Sequence, residues 1–477
     1  MPRLLLLFLV LIALFNGSRV LREPRPDADR PMDFRTCYVG QAVLRQGENP
    51  YDDATLKRGW QRIIKQESIV SRTQPGLPNL PFLYPPWAAG LFGGTIGRLP
   101  YALAWPLWYG LALLSLVLLA KRWPQALGTE NAEKVPWWQF LLAAVALKGT
   151  VPALLTGQPT FAALALGVGA LAVGREMKPA FNGSDTTDKQ AATIESEAAT
   201  APLAALVKPL WPPILAGILL GLAAFKVTLL LPFAAWFFWK KQWLTLAVAA
   251  AVVALLSAVA FYWATAPADL LPTYQHLLAQ VRAQSFDPTD PDYPLTQGLT
   301  LRLELANVLE WLRPGSSSWH LVLHAGLWLA AGLRLAWLRR QQVPLADWYL
   351  FLVLSTLTLL TTYHLYYDTV LLLPLLLFGR YQPRRVQWLL LLLMLPLLLP
   401  LNGIALALGN PVALHFLYFI PPLGLLGVLG VLLRRPVAAV HLTPGPSPAE
   451  RGATAAQSSA NVKLSSPAER GRPTGVS

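Results

Sequence analysis

Long apolar segments alternate with short polar or basic segments along most of the chain. Segments of about 15 to 22 apolar residues have the length that an α-helix needs to cross a bilayer. The candidate spans lie at roughly 4–20, 101–120, 137–149, 159–174, 210–225, 227–239, 243–264, 319–338, 345–362, 364–378, 386–401 and 412–433. The pattern predicts an all-α polytopic membrane protein with about twelve spanning helices, within a range of about 10 to 13.

The segment at 80–100 is also apolar, but Pro85, Pro86 and several glycines interrupt it. Lys and Arg in short loops favour the cytoplasmic side of a membrane. If the N-terminus is inside and 80–100 is interfacial or re-entrant, the strong basic doublets all fall inside. These are Lys121-Arg122, Lys240-Lys241, Arg339-Arg340, Arg384-Arg385 and Arg434-Arg435. An alternative keeps the same sidedness: 80–100 crosses, and 210–239 forms one long tilted helix.

Composition agrees with a membrane protein. The chain has 477 residues, of which 54% are hydrophobic and only 13% charged, about half the charged fraction of an ordinary globular domain. The formal net charge of +14 is explained by basic inner loops, so no nucleic-acid partner is predicted. The single cysteine, Cys37, excludes an intramolecular disulfide and a cysteine metal cluster. The apolar N-terminus lacks a small-residue cleavage pattern and is predicted to be a retained first span.

The polar segments divide the chain into one membrane domain, 1–435, and a tail, 436–477, that is predicted to be disordered. Within the membrane domain, 21–100 and 265–318 are predicted external loops, and 175–208 reads as a flexible cytoplasmic insertion. Trp residues, among them Trp123, Trp137, Trp243 and Trp348, cluster near the predicted inner ends of spans. An interfacial aromatic belt is expected there.

Acidic residues in the first external loop are the first candidates for chemistry. Asp33 precedes a helical pattern that Gly47 ends, so it suits both a helix N-cap and a general base close to the membrane surface. Asp52 and Asp53 are predicted to cap the next helix. Two further acidic groups lie among prolines and read as turns, so no metal site and no cofactor is predicted. These groups are Asp27 with Asp29, and Asp287 with Asp290 and Asp292.

Six short motifs occur in a fixed order. They are M-D-F-x-x-x-Y at 32–38, G-E-N-P-Y-D at 47–52, L-Y-P-P-W at 83–87, G-Q-P-T-F at 157–161, A-G-I-L-L-G-L-A-A-F-K at 216–226 and Y-H-L-Y-Y at 363–367. This order resembles glycosyltransferase family 87, integral membrane enzymes of the GT-C architecture that use polyprenyl-phosphate sugars. The resemblance implies a GT-C-like fold with a catalytic first external loop, and an activity similar to that of mannosyltransferases.

The resemblance also implies roles for individual residues. Asp33 matches the family's catalytic base in the first external loop. The residues expected to bind the donor phosphate are Lys226, Arg302 and Lys148, for which snorkelling or an ordinary loop position is the alternative. The residues expected to contact substrate are His364, Tyr84, Gln158 and Tyr38, whose alternatives are packing, turn geometry and the aromatic belt.

The predicted partners are a polyprenyl-phosphate sugar donor, a lipid or glycan acceptor, and the membrane lipids. The reaction would transfer a sugar, with mannose as the first candidate, and would invert the anomeric configuration. It would take place at the outer face of a bacterial inner membrane. A transporter or flippase of lipid-linked sugars would explain the spans and basic loops equally well. It would more often show repeated halves and charges near the midplane. Another GT-C enzyme, such as a polymer-forming sugar transferase, is a further alternative.

Overall fold

The computed structural model describes residues 3–22, 32–66, 81–126, 136–176, 210–284, 303–313, 317–343, 345–362, 364–380, 382–399 and 420–436. Within these ranges the chain is helical, as the sequence predicts. The α-helices are α1 Arg3–Arg22, α2 Met32–Arg45, α3 Asp53–Gln66, α4 Pro86–Gly94, α5 Tyr101–Ala126, α6 Trp137–Ala146, α7 Thr150–Thr156, α8 Thr160–Glu176, α9 Trp211–Ala223, α10 Val227–Trp239, α11 Trp243–Trp263, α12 Pro267–Gln284, α13 Ala306–Leu312, α14 Ser317–Arg340, α15 Asp347–Thr361, α16 Leu375–Arg380, α17 Arg384–Leu398 and α18 Ile420–Arg434. Short 3-10 helices lie at Ile96–Arg98, Ala224–Lys226 and Tyr366–Leu372. Most of the segment predicted as a cytoplasmic insertion, and nearly all of the tail, lie outside the described residues.

Among the described residues, four helical runs are long and apolar enough to cross a membrane, and the bent pair α6 and α7 would make a fifth. The four are Tyr101–Trp123, Trp211–Trp239, Trp243–Trp263 and Trp319–Arg340. Twelve spans are therefore not shown by length and composition. Other expected spans form apolar helices of only 10–17 residues, and a 15-residue helix is about 22 Å long against a hydrocarbon core of about 30 Å. The span expected at 137–149 forms α6, which ends at Ala146, and α7 follows it at an angle of 78°.

The run Trp211–Trp239 is continuous in helical character, but it is not straight. Gly217 packs closely on Thr245, which follows the end of this run by only a few residues. A straight helix would separate residues 217 and 239 by about 33 Å, farther than the short link to Thr245 can return. The chain therefore reverses at the 3-10 turn, and α9 and α10 form a hairpin with Lys226 at its apex. This geometry corresponds to two short segments at 210–225 and 227–239.

Three helices run between the same two ends of the bundle. At one end Asp347, the first residue of α15, pairs with Lys240 at 2.5 Å and with Arg175 at 3.4 Å. At the other end Lys226, which precedes α10, donates to Thr160, the first residue of α8, at 2.6 Å. The basic residues that follow α8 and α10 thus share one end, as the loop-charge argument predicts. We call it the basic end, and we call the opposite end the Lys226 end.

Both ends of the apolar segment at 80–100 lie against α2. Near its start Phe82 packs against Gly40 of α2, and near its finish the Leu99 carbonyl accepts a hydrogen bond from Tyr38 of α2 at 2.7 Å. Between these points Gly90 lies against the Leu256 backbone of α11. The segment runs along α11 and returns to α2, and its re-entrant character stays a prediction.

The predicted tryptophan belt divides into two groups. Trp137 and Trp243 are 45% and 55% exposed on the protein surface, as residues facing lipid headgroups would be. Trp123 and Trp348 are fully buried, and Trp123 packs edge-on against Phe351. The belt interpretation is therefore wrong for Trp123 and Trp348. Position near a helix end does not distinguish a ring that faces lipid from one that faces a neighbouring helix.

Close packing of α9 on α11 predicts a strong steric effect at Gly217. A Cβ there would lie 2.6 Å from the Val248 side chain and 2.7 Å from the Thr245 carbonyl oxygen, and backbone cannot move aside as a flexible side chain can. We expect Gly217→Val to destabilise the protein by about 1–3 kcal/mol, seen as a lower Tm in detergent. Gly110→Val is the control, since nothing lies within 4 Å of a Cβ at Gly110. Equal Tm values for the two variants would contradict the close packing of α9 on α11.

Candidate active site

Four chain segments meet at the Lys226 end of the bundle. They are the first turn of α2, the turn between α7 and α8, the hairpin apex, and the segment from His364 into the 3-10 helix Tyr366–Leu372. Lys226 Nζ lies 2.6 Å from Thr160 Oγ1 and 2.5 Å from Asp368 Oδ1, and Gln158 Nε2 donates to Tyr367 Oη at 3.2 Å. Segments far apart in sequence therefore place polar side chains in one cluster.

Gly157 fixes the turn that brings Gln158 to α2. Its φ of 73° is left-handed, and a Cβ there would lie 2.6 Å from Phe34 Cβ and 2.9 Å from the Trp105 ring. Only glycine suits both the backbone angle and this close approach. The Gly157 carbonyl accepts a hydrogen bond from Trp108 Nε1 at 2.9 Å, which ties the turn to α5. This turn therefore fixes the position of Gln158 next to the first turn of α2.

Asp33 is half-buried in the first turn of α2, which lies outside the candidate spans. Burial raises the pKa of Asp33 above its ordinary value, while interactions with Thr156 and Gln158 and the positive charge of Lys226 act in the opposite direction. A carboxylate with a raised pKa binds a proton more readily than an ordinary one. The surroundings of Asp33 are therefore suited to a proton acceptor.

Asp52 has different surroundings from Asp33. Its side chain accepts a hydrogen bond from the backbone N–H of Thr55 at 3.0 Å, so its prediction as a helix cap is confirmed. Hydrogen bonding by Thr55 lowers the pKa of Asp52. Asp53 pairs with Lys57 on the surface at 2.6 Å. Of these three acids in the first loop, only Asp33 faces the cluster around Lys226.

Lys226 is held by a buried carboxylate. Asp368 is 2% exposed; its Oδ1 contacts Lys226 Nζ at 2.5 Å, and its Oδ2 contacts His364 Nδ1 at 2.9 Å. Thr160 Oγ1 lies 3.2 Å from the same Oδ1. The Lys226 ammonium also lies over the ring of Tyr367, 5.0 Å from its centroid. One acid, one cation and one imidazole thus form a single network in which the charges of Lys226 and Asp368 compensate each other.

Tyrosine rings connect this network to its neighbours. Lys148 lies over the ring of Tyr366 at 5.8 Å, and the Tyr366 and Tyr367 rings pack at 5.3 Å. Lys148 is thus at the border of the cluster, separated from Lys226 by two aromatic rings. Tyr84 approaches the cluster from the other side, next to Cys37, one helical turn beyond Asp33.

The structure brings most of the predicted site residues together. Asp33, Tyr84, Gln158, Lys226 and His364 surround one region, and Lys148 borders it. Tyr38 has a different position, because its hydroxyl donates to the Leu99 carbonyl and its ring packs on Phe34; it holds α2 against the re-entrant segment. Arg302 lies outside the described residues.

Sequence reasoning missed two members of the cluster, Asp368 and Thr160. Both lie within or next to the motifs that carry the resemblance. Two signals pointed to Asp368: an ionisable lysine in an apolar stretch needs a counter-ion, and an acid follows His364 by four positions. Nothing in the sequence, however, pairs Lys226 with Asp368, which lies 142 residues later.

Within the described ranges, no three His, Cys, Asp or Glu side chains form a group that could hold a metal ion. The two acidic groups read as turns, Asp27 with Asp29 and the three acids at 287–292, lie outside those ranges. The described side chains of the cluster offer two carboxyl groups, an ammonium, an imidazole and several hydroxyl groups.

A sequence model of glycosyltransferase family 87 matches residues 82–362, more than half of the chain. The matched residues include Tyr84, Lys148, Gln158, Lys226 and Arg302, whereas Asp33 and His364 lie outside them. No curated protein and no solved structure matches the chain.

Proposed function

Because the chain belongs to glycosyltransferase family 87, we propose that it transfers a sugar, with mannose as the first candidate, from a polyprenyl-phosphate donor to a lipid or glycan acceptor. The Lys226 end faces outward in this proposal, since the basic loops lie at the other end and basic loops favour the cytoplasm. In a bacterium this places the reaction at the outer face of the inner membrane.

Asp33 is the general base of the proposed reaction. The acceptor hydroxyl attacks the anomeric carbon, its proton passes to an Asp33 carboxylate oxygen, and the bond from that carbon to the phosphate oxygen breaks. The electron pair of the broken bond leaves with the phosphate. Attack on the face opposite the leaving group inverts the anomeric configuration. Since phosphate is a good leaving group, a second carboxylate acting as an acid is less necessary than in glycoside hydrolysis.

Cations near the leaving phosphate stabilise the negative charge that it gains. Lys226 is the first candidate because its ammonium carries three N–H donors, and the contacts to Asp368 and Thr160 leave one for a ligand. Lys148 and Arg302 are further phosphate candidates. His364, Tyr84 and Gln158 would contact sugar or phosphate oxygens.

One observation carries this proposal: Asp33, a carboxyl group with a raised pKa, faces Lys226 across one polar cluster. A base and a cation close enough to influence each other supply the two groups that transfer from a phosphate donor requires. A flippase, which breaks no glycosidic bond, would not need a base to take a hydroxyl proton.

Assays with defined donors test the proposed function. Purified protein in nanodiscs is incubated with synthetic polyprenyl-phosphate mannose and lipid extracts as acceptors, and nucleotide-activated mannose is the control donor. We expect a glycosylated product from the polyprenyl donor alone, with inverted configuration at the new linkage by NMR. Transport of the donor across vesicles without transfer from any polyprenyl-phosphate sugar would instead identify a flippase.

The raised pKa of Asp33 predicts the acidic limb of the pH profile. Below that pKa the carboxyl group is protonated and cannot take the hydroxyl proton, so kcat/KM should rise as the pH rises through it. The midpoint is expected above about 3.9, the value of an ordinary aspartate. Measurement of kcat/KM from about pH 4 upward checks this, with unfolding followed at each pH. Constant activity over the acidic range in folded protein would contradict the role of Asp33.

A further inference from the structure

We infer that Asp368 is a positioning residue of this site, whose two oxygens separately hold the Lys226 ammonium and set the tautomer of His364. This inference rests on the proposed function for its effect on transfer, but the state of the imidazole can be measured without any donor. The carboxylate would act through Lys226 and His364 and would not itself touch substrate.

The two oxygens of Asp368 have different partners. Oδ1 faces Lys226 Nζ at 2.5 Å and Thr160 Oγ1 at 3.2 Å, while Oδ2 faces His364 Nδ1 at 2.9 Å. Asp368 is 2% exposed and His364 is fully buried, so water cannot readily replace either partner. The Lys226 side chain, at 13% exposed, is the member of the network that solvent or a ligand reaches.

Hydrogen bonding determines which nitrogen of His364 faces Asp368 with a proton. In the neutral imidazole the proton is on Nδ1, because an ionised carboxylate only accepts hydrogen bonds. Nε2 is then an acceptor. It is buried and has no hydrogen-bond partner among the described residues.

Asparagine at position 368 would reverse this arrangement. An amide has one acceptor oxygen and one NH₂ group, and the ammonium of Lys226 repels the NH₂ group. The oxygen therefore turns to Lys226 and the NH₂ group to His364. Nδ1 must then accept, and the proton moves to Nε2, which changes from acceptor to donor. A carboxylate that fixes a histidine tautomer in this way is known to affect turnover strongly.

The kinetic test compares Asp368→Asn with Asp347→Asn. Asp347 is a matched control, because it pairs with Lys240 at the same 2.5 Å but lies at the basic end. We expect Asp368→Asn to lower kcat by at least about 10²-fold and Asp347→Asn to leave kcat and KM unchanged. Wild-type kcat and KM in folded Asp368→Asn protein would overturn the inference.

The structural test uses ¹⁵N NMR of protein labelled at its six histidines, with His364 assigned by its absence in His364→Asn. We expect Nδ1 to carry the proton in the wild type and Nε2 to carry it in Asp368→Asn. The double variant Lys226→Met with Asp368→Asn should return the proton to Nδ1, because no ammonium then competes for the amide oxygen. It also avoids a buried unpaired lysine if the single variant fails to fold.

The two readouts separate the failure of this inference from that of the proposed function. A wild-type protein that transfers no sugar contradicts the proposed function, while the predicted tautomer changes would still support the positioning role. An Nε2 proton on His364 in the wild type overturns the inference, as would an Nδ1 proton in Asp368→Asn or an Nε2 proton in the double variant.

Discussion

Replacing Asp33 with Asn is expected to reduce sugar transfer by about 10²- to 10⁴-fold without loss of the folded protein. The amide has nearly the same shape as the carboxylate but cannot take the proton of the acceptor hydroxyl. Asparagine is accepted in the first turn of a helix, so α2 should remain intact. Initial rates with polyprenyl-phosphate mannose, at saturating donor and acceptor, measure the effect as a fall in kcat.

Asp52→Asn is the matched control for this substitution. Asp52 lies in the same external loop, and its side chain caps α3 through Thr55, a role that asparagine also fills well. We expect Asp52→Asn to retain full activity and a wild-type Tm. Full activity in Asp33→Asn would remove Asp33 as the base, and equal losses in both variants would indicate damage to the loop.

Replacing Lys226 with Met is expected to reduce transfer by about 10²- to 10³-fold and to weaken donor binding. The methionine fills a similar volume but cannot stabilise the charge on the leaving phosphate. The same change leaves Asp368 buried without its cation, which should cost about 3–5 kcal/mol of stability. Two measurements are therefore required: transfer at several donor concentrations, and Tm in the same detergent.

Stability and chemistry can be separated at Lys226. The double variant Lys226→Met with Asp368→Asn removes the unpaired charge, so its Tm should recover towards that of the wild type while transfer stays low. Lys240→Met is the control, because Asp347 keeps Arg175 as a partner at 3.4 Å and lies at the other end of the bundle. If the double variant recovered transfer together with Tm, Lys226 would have a structural role only.

The hydrophobic pattern predicts where the helices lie along the chain, but it does not predict what each helix packs against. Apolar runs predicted α5, α11 and α14 within a few residues, and Gly47, with a φ of 83°, follows α2 closely as expected. The same runs could not reveal the 78° bend between α6 and α7. Nor could they show that Trp123 is buried. Hydrophobicity measures exclusion from water, and both lipid and a neighbouring helix exclude water.

The candidate site was predictable in part for a related reason. Asp33 and Lys226 stand out because each is a charged residue close to apolar segments. Asp368 also lies in such a segment, yet its importance comes from two partners, one of them 142 residues away in sequence. Long-range pairing depends on how the helices assemble. For the same reason Tyr38, a motif residue, has a packing contact instead of a place in the cluster.

The short helices around Lys226 have a consequence for depth in the membrane. α8, α10 and α15 contain 17, 13 and 15 residues, which corresponds to about 20–25 Å. The hydrocarbon layer is about 30 Å thick. If these three helices are aligned at the basic end, their other ends do not reach the headgroups of the opposite leaflet, unless the bilayer thins around them. A donor phosphate would then have to descend from the headgroup layer, or the protein would have to bring that layer down to it. Hydrophobic mismatch, as well as charge, would thereby govern which lipids reach this site.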